Sequence, residues 1–586
     1  MIGNRLQILF FTVLLLLGGL AARLFQIQVL NGLAYSEMAQ RQFVKKVKAE
    51  TTRGEILDRN GLVLATSIEC QSIFAHPKEM RASKGALAML GNNLDMEPRR
   101  INSKIHSDDD FVWIERKVNP MAAEAVARQK IKGLGMVAEQ KRYYPNGSLA
   151  CHLIGSVGVD NTGLSGVEQI LDPSLKGKQL TLTRLRDGKG RNMDPAFDSR
   201  EKPRKNSVTL TIDRTLQYYA ERELKAGVEE NRAKSGMVLI QDPKTGEILA
   251  MASYPDYDPN IFSKGEIPAD FNRKWLENPS VSRLFEPGST FKLITFAAAL
   301  EEKAVLPTQE FECENGRWKV AGSFINDHEP QGRLTVPQIL ERSSNIGTAK
   351  IGLKLGADRM YRYARAFGFG SRTGLQVPGE TDGLFRDPKK WSALSLPILS
   401  FGQEIGVTAI QLIGAYSAVA NGGMLLEPRV IRSIDNPSPG AETVKPGPRA
   451  VRRVISQETA ALLRRMLRGA VERGTGMKAR VPGYSVCGKT GTAQKIDPKT
   501  GKYSDEKYVA SFCGFLPADD PALVCLVILD EPQRTYWGGE TAAPLFSRVM
   551  SRAVTVLDIP PQEAALLADG VKSAQEVRLL ASKSGR

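Results

Sequence analysis

The chain has 586 residues, 42% hydrophobic and 25% charged, a balance that excludes an intrinsically disordered protein and a length that points to two or three domains. Its formal net charge of +16 suits an anionic neighbour such as membrane phospholipid or cell-wall polymer. No basic-aromatic motif accompanies that charge, so no nucleic-acid partner is expected.

In chain order, residues 6–22 come first, an apolar run broken only by Gln7 and Thr12. Its length is at the short end of the roughly 17–25 residues that span a bilayer. A cleaved signal peptide competes, because Arg5 gives a short basic start. No clean A-x-A site follows, and Arg23-Leu24-Phe25-Gln26-Ile27 continues the helical pattern. The expectation is a cytoplasmic N-terminus and single transmembrane anchor over residues 1–30. Arg41, Lys45, Lys46 and Lys48 beyond the span, against Arg5 before it, leave orientation open by charge. Long domains translocate largely regardless of such bias, so the body is placed outside the cytoplasm.

Residues 31–225 mix short strands with charged helices. Arg53-Gly54-Glu55-Ile56-Leu57-Asp58-Arg59-Asn60-Gly61 opens a hairpin with Asn60-Gly61 at its turn. Arg142-Tyr143-Tyr144-Pro145 and residues 163–168 punctuate loops. No catalytic constellation stands out, and a structural or docking module is expected. From residue 226 the texture changes. Residues 236–241 and 247–251 read as strands joined by Asp242-Pro243-Lys244-Thr245-Gly246. A helical middle follows, then strand-like runs at 484–492, 508–515 and 522–529. This order predicts an α+β domain over 226–560, with one antiparallel sheet closed by both ends and helices packed on it. Residues 561–586 form a polar tail.

Six cysteines (Cys70, Cys151, Cys313, Cys487, Cys513 and Cys525) make no C-x-x-C pair, and the four histidines are scattered. The spacings suit no zinc site, so no metal and no cofactor are expected.

The chemistry centres on Glu286-Pro287-Gly288-Ser289-Thr290-Phe291-Lys292. Residues 293–300 after it are apolar on nearly every side and read as a buried helix. Pro287 and Gly288 break the chain ahead of it. Ser289 falls at or just before the helix start, where free N–H groups and the macrodipole favour developing negative charge. Lys292, one turn on, shares its face. A hydroxyl and an amine so placed form a nucleophile–base pair if the amine is neutral. Burial then has to lower the lysine pKa by roughly three units, about 4 kcal/mol. The motif alone also fits a capping serine with a lysine that reaches to solvent. Ser199-Arg200-Glu201-Lys202 and Ser504-Asp505-Glu506-Lys507 match it in polar stretches read as loops.

Ser343-Ser344-Asn345 lies between a helix expected from near Thr335 and another over residues 346–351. Such a turn either reaches into a cleft or is an ordinary loop. Lys489-Thr490-Gly491-Thr492 lies on a strand. Alternation puts Lys489 and Gly491 on one face and Thr490 and Thr492 on the other, and Gly491 permits close backbone approach. Lys244-Thr245-Gly246 and Lys499-Thr500-Gly501 repeat the tripeptide in turns. Residues 483–490 also fit the phosphate-loop pattern G-x-x-x-x-G-K-T. That ATPase reading fails on context: the stretch is strand-like, and no helix follows the lysine.

S-x-x-K, S-x-N and K-T-G in this order are the signature of penicillin-binding proteins and serine β-lactamases. Further residues join them: Arg53-Gly54, Ile56, Asp58-Arg59-Asn60-Gly61, Arg142-Tyr143-Tyr144-Pro145 and His152-Leu153-Ile154-Gly155. Phe401-Gly402-Gln403, Asn421-Gly422-Gly423 and Tyr536-Trp537-Gly538-Gly539 complete the set. On these residues the chain resembles the class B penicillin-binding proteins, nearest the cell-division peptidoglycan transpeptidases, from the anchor to about residue 555. A class A enzyme would need a glycosyltransferase domain that residues 31–225 leave no room for.

The resemblance implies an elongated α/β-mixed pedestal and a transpeptidase domain. Ser289 would attack the penultimate D-alanine carbonyl of a peptidoglycan stem peptide, with Lys292 as general base. Ser343 would relay the proton to the departing D-alanine, and Asn345 would bind the peptide amide. Lys489, Thr490, Gly491 and Thr492 would hold the terminal carboxylate, and the N–H groups of Ser289 and Thr492 would form an oxyanion hole. β-Lactam antibiotics would acylate the same serine. Implied partners are the membrane, a membrane glycosyltransferase and other division proteins. The implied location is the bacterial inner membrane, with the catalytic domain on the periplasmic side. Ser344 departs from the S-D-N form, at a position that varies among penicillin-binding proteins. Rival readings are a D,D-carboxypeptidase or β-lactamase on the same serine, and a non-enzymatic sensor or scaffold.

Overall fold

A computed structural model describes residues 2–33, 35, 38, 44–49, 52–80, 84–176, 180–186, 192–193, 206–265, 267–435, 443–497 and 499–562. The polar tail from residue 563, the Ser199–Lys202 tetrapeptide and Arg41 lie outside the described residues. The chain divides into two compact units, residues 1–52 with 176–205, and the remainder.

In the first unit, the helix Ile2–Phe25 continues through one π-helical turn, Gln26–Leu30. Gly3–Leu30 is long and apolar enough to cross a membrane. Its 28 residues rise about 42 Å at ~1.5 Å each, against a hydrocarbon core of about 30 Å. Val44–Ala49, Leu180–Arg186 and Asn192–Met193 form a small antiparallel sheet in that order.

The second unit begins with a strand set: β1 (Glu55–Leu57), β2 (Val63–Ala75), β3 (Val112–Val118), β4 (Leu134–Tyr143) and β5 (Ser207–Leu210). β1 pairs antiparallel with β2 and parallel with β5, while β2 pairs with both β3 and β4. The expected hairpin turn is present. Asp58 Oδ1 accepts from the N–H groups of Asn60 and Leu62, and Gly61 takes the left-handed φ of 83°. β5 also pairs with Ile431–Asp435, a strand from far along the chain.

The two arginines singled out in sequence meet in this module's interior. Glu168 accepts from Arg53 Nε at 2.7 Å and from Arg142 Nε at 2.6 Å, and Arg53 also reaches Asp172 at 2.6 Å. The side chains of Arg142 and Glu168 are fully buried. Removing one member of such a cluster leaves an uncompensated buried charge. Glu168→Gln is therefore expected to destabilise the protein by about 3–5 kcal/mol. Urea unfolding of the detergent-solubilised chain measures this, and a change under about 1 kcal/mol would rule out Glu168 as the anchor.

The elements that follow are α1 (Arg214–Glu230), β6 (Ser235–Gln241), β7 (Ile248–Tyr254), α2 (Lys292–Glu301), β8 (Arg317–Val320) and β9 (Ser323–Asn326). Then come α3 (Val336–Arg342), α4 (Asn345–Leu355), α5 (Ala409–Ala420), α6 (Gln457–Glu472), β10 (Cys487–Ile496), β11 (Tyr503–Leu516), β12 (Leu523–Asp530) and α7 (Ala542–Val556). α1 is capped by Asp213, whose carboxylate accepts from Thr215 and Leu216 N–H. It runs through residue 225 and packs on the sheet that follows it.

That sheet has the order β7-β6-β12-β11-β10, antiparallel throughout. Every residue of β6 and β12 is buried, which explains their unbroken apolar runs. Alternation sends Val238, Ile240, Cys525 and Val527 toward α1 and α7, with Leu224, Phe546 and Met550. Met237, Leu239, Leu526 and Ile528 face the other way, into a core with Leu293 and Phe296 of α2, Ile410 and Ile413 of α5, and Leu463 of α6. The α+β architecture is thus as the sequence predicts, a sheet closed by both ends of its domain and covered on both faces. All six cysteines are buried and free.

Two segments differ from expectation. Tyr484 and Ser485 do not join the strand, because Ser485 N–H donates to Gln562 Oε1 at 2.7 Å and Tyr484 donates to Ile559 O. Pairing with β11 therefore starts at Cys487. The Ser504-Asp505-Glu506-Lys507 stretch, read as a loop, lies on β11, which extends with β10 into a polar hairpin. Polar residues mask strand propensity when only one neighbouring strand covers them.

Candidate active site

Pro287 and a 3₁₀ turn, Gly288–Phe291, lead directly into α2, so Ser289 sits just ahead of that helix. The helix is buried along its first nine residues, Lys292 to Leu300. Lys292 has no exposed surface. Its Nζ donates to Ser343 O at 2.6 Å, to Asn345 Oδ1 at 2.8 Å and to Ser343 Oγ at 3.2 Å. Ser343 Oγ lies 3.1 Å from Ser289 Oγ. Two hydroxyls and an amine thus form a continuous chain, Ser289–Ser343–Lys292. Burial lowers the Lys292 pKa to about 7, opposed by the charge of Asp327.

Ser343 is held by the helices flanking it. α3 starts at a capping box, Thr335 with Gln338, and ends at Ser343, whose φ of 61° and ψ of 35° are left-handed. A serine in that region stores strain, and here it turns the hydroxyl toward the cleft. Ser344 is buried and caps α4, accepting from Gly347 N–H.

β10 lies along the 3₁₀ turn. A Cβ on Gly491 would come within 2.3 Å of Ser511 Oγ and 2.9 Å of Pro287 O, so only glycine allows this approach. A Cβ on Gly288 would stand 3.2 Å from Thr492 O. Lys489 is fully buried, with Nζ 3.2 Å from Thr490 Oγ1 and 3.5 Å from Thr475 Oγ1. Thr475 and Thr490 hydroxyls are 2.8 Å apart. Burial, then the nearby Lys292 amine, push the Lys489 pKa well below its usual value. Thr492 Oγ1 accepts from Gly538 N–H at 3.0 Å. Beside it, Trp537 packs against His328, their rings 4.0 Å apart. Alternation along β10 holds, with Gly491 against the turn and Thr490 and Thr492 facing the residue 475 and 538 loops.

The structure therefore brings Ser289, Lys292, Ser343, Asn345, Lys489, Thr490, Gly491 and Thr492 into one cleft. It adds Asp327, which bonds Ser344 and Asn345, and Thr475, which bonds Thr490 and Lys489; sequence reasoning missed both. Glu286 accepts from Tyr503 OH at 3.1 Å and Glu404 N–H at 3.0 Å, and burial raises its pKa to about 7. Among the described residues no group of His, Cys, Asp and Glu could hold a metal. The rejection of the phosphate-loop reading agrees with the structure, in which residues 487–496 run as a strand through the lysine.

The family model for the penicillin binding protein transpeptidase domain matches residues 236–551, and the penicillin-binding protein dimerisation domain model matches residues 48–208. The chain belongs to the class B penicillin-binding proteins. Stage V sporulation protein D of Bacillus subtilis (strain 168) is 35% identical, over 92% of this chain and 84% of its own. The peptidoglycan D,D-transpeptidase FtsI of Escherichia coli (strain K12) is 31% identical, over 95% of this chain and 92% of its own. Among solved structures, penicillin binding protein 3 from Mycobacterium tuberculosis complexed with aztreonam has a TM-score of 0.67 at 30% identity. It covers 88% of this penicillin-binding protein and 99% of its own chain.

Proposed function

We propose that this penicillin-binding protein is a peptidoglycan D,D-transpeptidase of septal wall synthesis, with Ser289 as its nucleophile. The observation that carries the reading is the hydroxyl–hydroxyl–amine chain ending on a buried lysine with a pKa near 7. A neutral Lys292 accepts a proton. Ser289 Oγ attacks the carbonyl of the penultimate D-alanine, and its proton passes through Ser343 to Lys292. The N–H groups of Ser289 and Thr492 stabilise the oxyanion, a term typically worth a few kcal/mol. Collapse breaks the peptide bond, and Ser343 returns the proton to the departing D-alanine. An amine of a neighbouring stem then attacks the acyl-enzyme, gives up its proton along the same path, and frees Ser289 as the crosslink forms.

Asn345 holds the substrate amide while it fixes Lys292. Lys489 places its amine to receive the terminal carboxylate, and Thr490 with Thr475 fixes that amine. Thr492 donates its hydroxyl, and Gly491 lets the strand close on the turn. β-Lactams acylate the same serine. The chain is anchored once through its N-terminal helix, with the catalytic domain on the periplasmic side of the inner membrane. There it works with a membrane glycosyltransferase and other division proteins. Residues 31–225 serve as the pedestal and 226–560 as the catalytic domain.

Purified protein supplied with pentapeptide strands and an acceptor strand should release D-alanine and form crosslinks together. Release without crosslinks would assign a D,D-carboxypeptidase instead.

A further inference from the structure

Asp327 belongs to none of the three motifs, yet its carboxylate organises one wall of the cleft. Oδ1 accepts from Asn345 N–H at 2.5 Å and from Ile346 N–H at 3.0 Å, and Oδ2 accepts from Ser344 Oγ at 2.6 Å. The preceding carbonyl, Asn326 O, accepts from Asn345 Nδ2 at 3.0 Å. The exit of the β8–β9 hairpin therefore clamps both backbone and side chain of Asn345. Asn345 Oδ1 in turn receives the Lys292 amine. Ser344, the residue that departs from S-D-N, is engaged here: it donates to Asp327 and accepts from Gly347 N–H.

We propose that Asp327, gripped by Ser344, is a positioning residue that supplies from a separate hairpin the carboxylate an S-D-N sequence carries inside its motif, and that its charge sets the proton affinity of the Lys292 amine. The inference rests on the reading of Lys292 as the base.

The neighbours of that amine support it. Ser343 and Asn345, at the α3–α4 turn, are neutral. Cys313, from the segment before β8, is a thiol whose pKa burial raises, so it too is neutral. Lys489 of β10 stands opposite, its charge disfavoured by burial. Asp327 is thus the carboxylate that opposes the effect of burial on Lys292. Without its charge the amine loses its proton more readily, so the free-base form persists to lower pH.

The test is the pH profile of the acylation rate constant for fluorescent penicillin, on the full chain in detergent. Asp327→Asn should move the acid-side midpoint down by about one pH unit, the scale of a nearby opposite charge. Ser344→Asp, which adds a second carboxylate at the same helix end, should move it up by a similar amount. The double variant should return it toward the parent value. A merely structural role would lower the rate by one factor at every pH, and an unmoved midpoint overturns the proposal. If Asp327→Asn gives no cooperative melt, an unmoved midpoint in Ser344→Asp overturns it equally. Failure of the underlying reading looks different, because labelling would then survive in Ser289→Ala or the parent profile would lack an acid limb.

Discussion

Ser289→Ala should abolish covalent labelling by fluorescent penicillin, leaving no slow phase. The nearest other hydroxyl, Ser343, is 3.1 Å away but cannot substitute. Its backbone is locked in the left-handed region at the end of α3, and its oxygen already faces the Lys292 amine. Nucleophiles that act as a unit with a base lose nearly the whole rate when removed, because the remaining groups have nothing to activate. Peptide mapping of the labelled parent should find the acyl group within residues 286–292. Labelling of the variant at the parent rate would remove Ser289 from the reaction and with it the proposed mechanism.

Lys292→Arg is the second large effect, a loss of at least about 10³-fold in acylation, near the upper range for a general base. Arginine keeps the charge and fills similar space, but it cannot deprotonate in this range. The parent enzyme should show the matching pH dependence. The neutral amine is the active form, so the rate rises with pH through the value of about 7 to which burial lowers Lys292. Between one unit below and one unit above that midpoint the free-base fraction grows about tenfold. The same shift bears on stability with a definite sign. Between about 7 and the usual 10.5, the unfolded chain carries a proton on this residue that the folded chain lacks, so folding becomes more favourable as pH rises. Below that window the amine is protonated in both states, and burying the charged form costs folding about 5 kcal/mol relative to high pH, at ~1.4 kcal/mol per unit. Full acylation by Lys292→Arg would mean another group takes the proton.

What could be read from residue order depended on range. Ser289 and Lys292 lie one helical turn apart, and the broken chain before an apolar run marks their place without tertiary knowledge. Ser343 and Asn345 were visible as a turn between two helical patterns, one opened by the Thr335 capping box. Lys489 stood out because it lies in a strand-like run, whereas the other two K-T-G copies followed Asp-Pro. Asp327 and Thr475 carried no such mark. Asn326-Asp327-His328-Glu329-Pro330 and Arg473-Gly474-Thr475-Gly476 have no distinguishing spacing, and only packing brings them to Asn345 and Lys489. Strand ends were also unreadable. Whether Tyr484 pairs with β11 or bonds near residue 559 depends on a segment about seventy-five positions away. The polar β10–β11 extension concealed its strand character in the same way.

The sheet order β7-β6-β12-β11-β10 has a temporal consequence. β6 is made early, but its inner neighbour is β12, which ends at Asp530. A chain emerging from its N-terminus would thus present the serine turn long before the strand that must close on it has a sheet to join. The serine turn and β10 come together on a finished sheet only once β12 has threaded between β6 and β11. Truncation before residue 523 should therefore abolish acylation, and insertion of β12 into the middle of this open sheet should be the slowest step of folding, because contacts between distant positions form last.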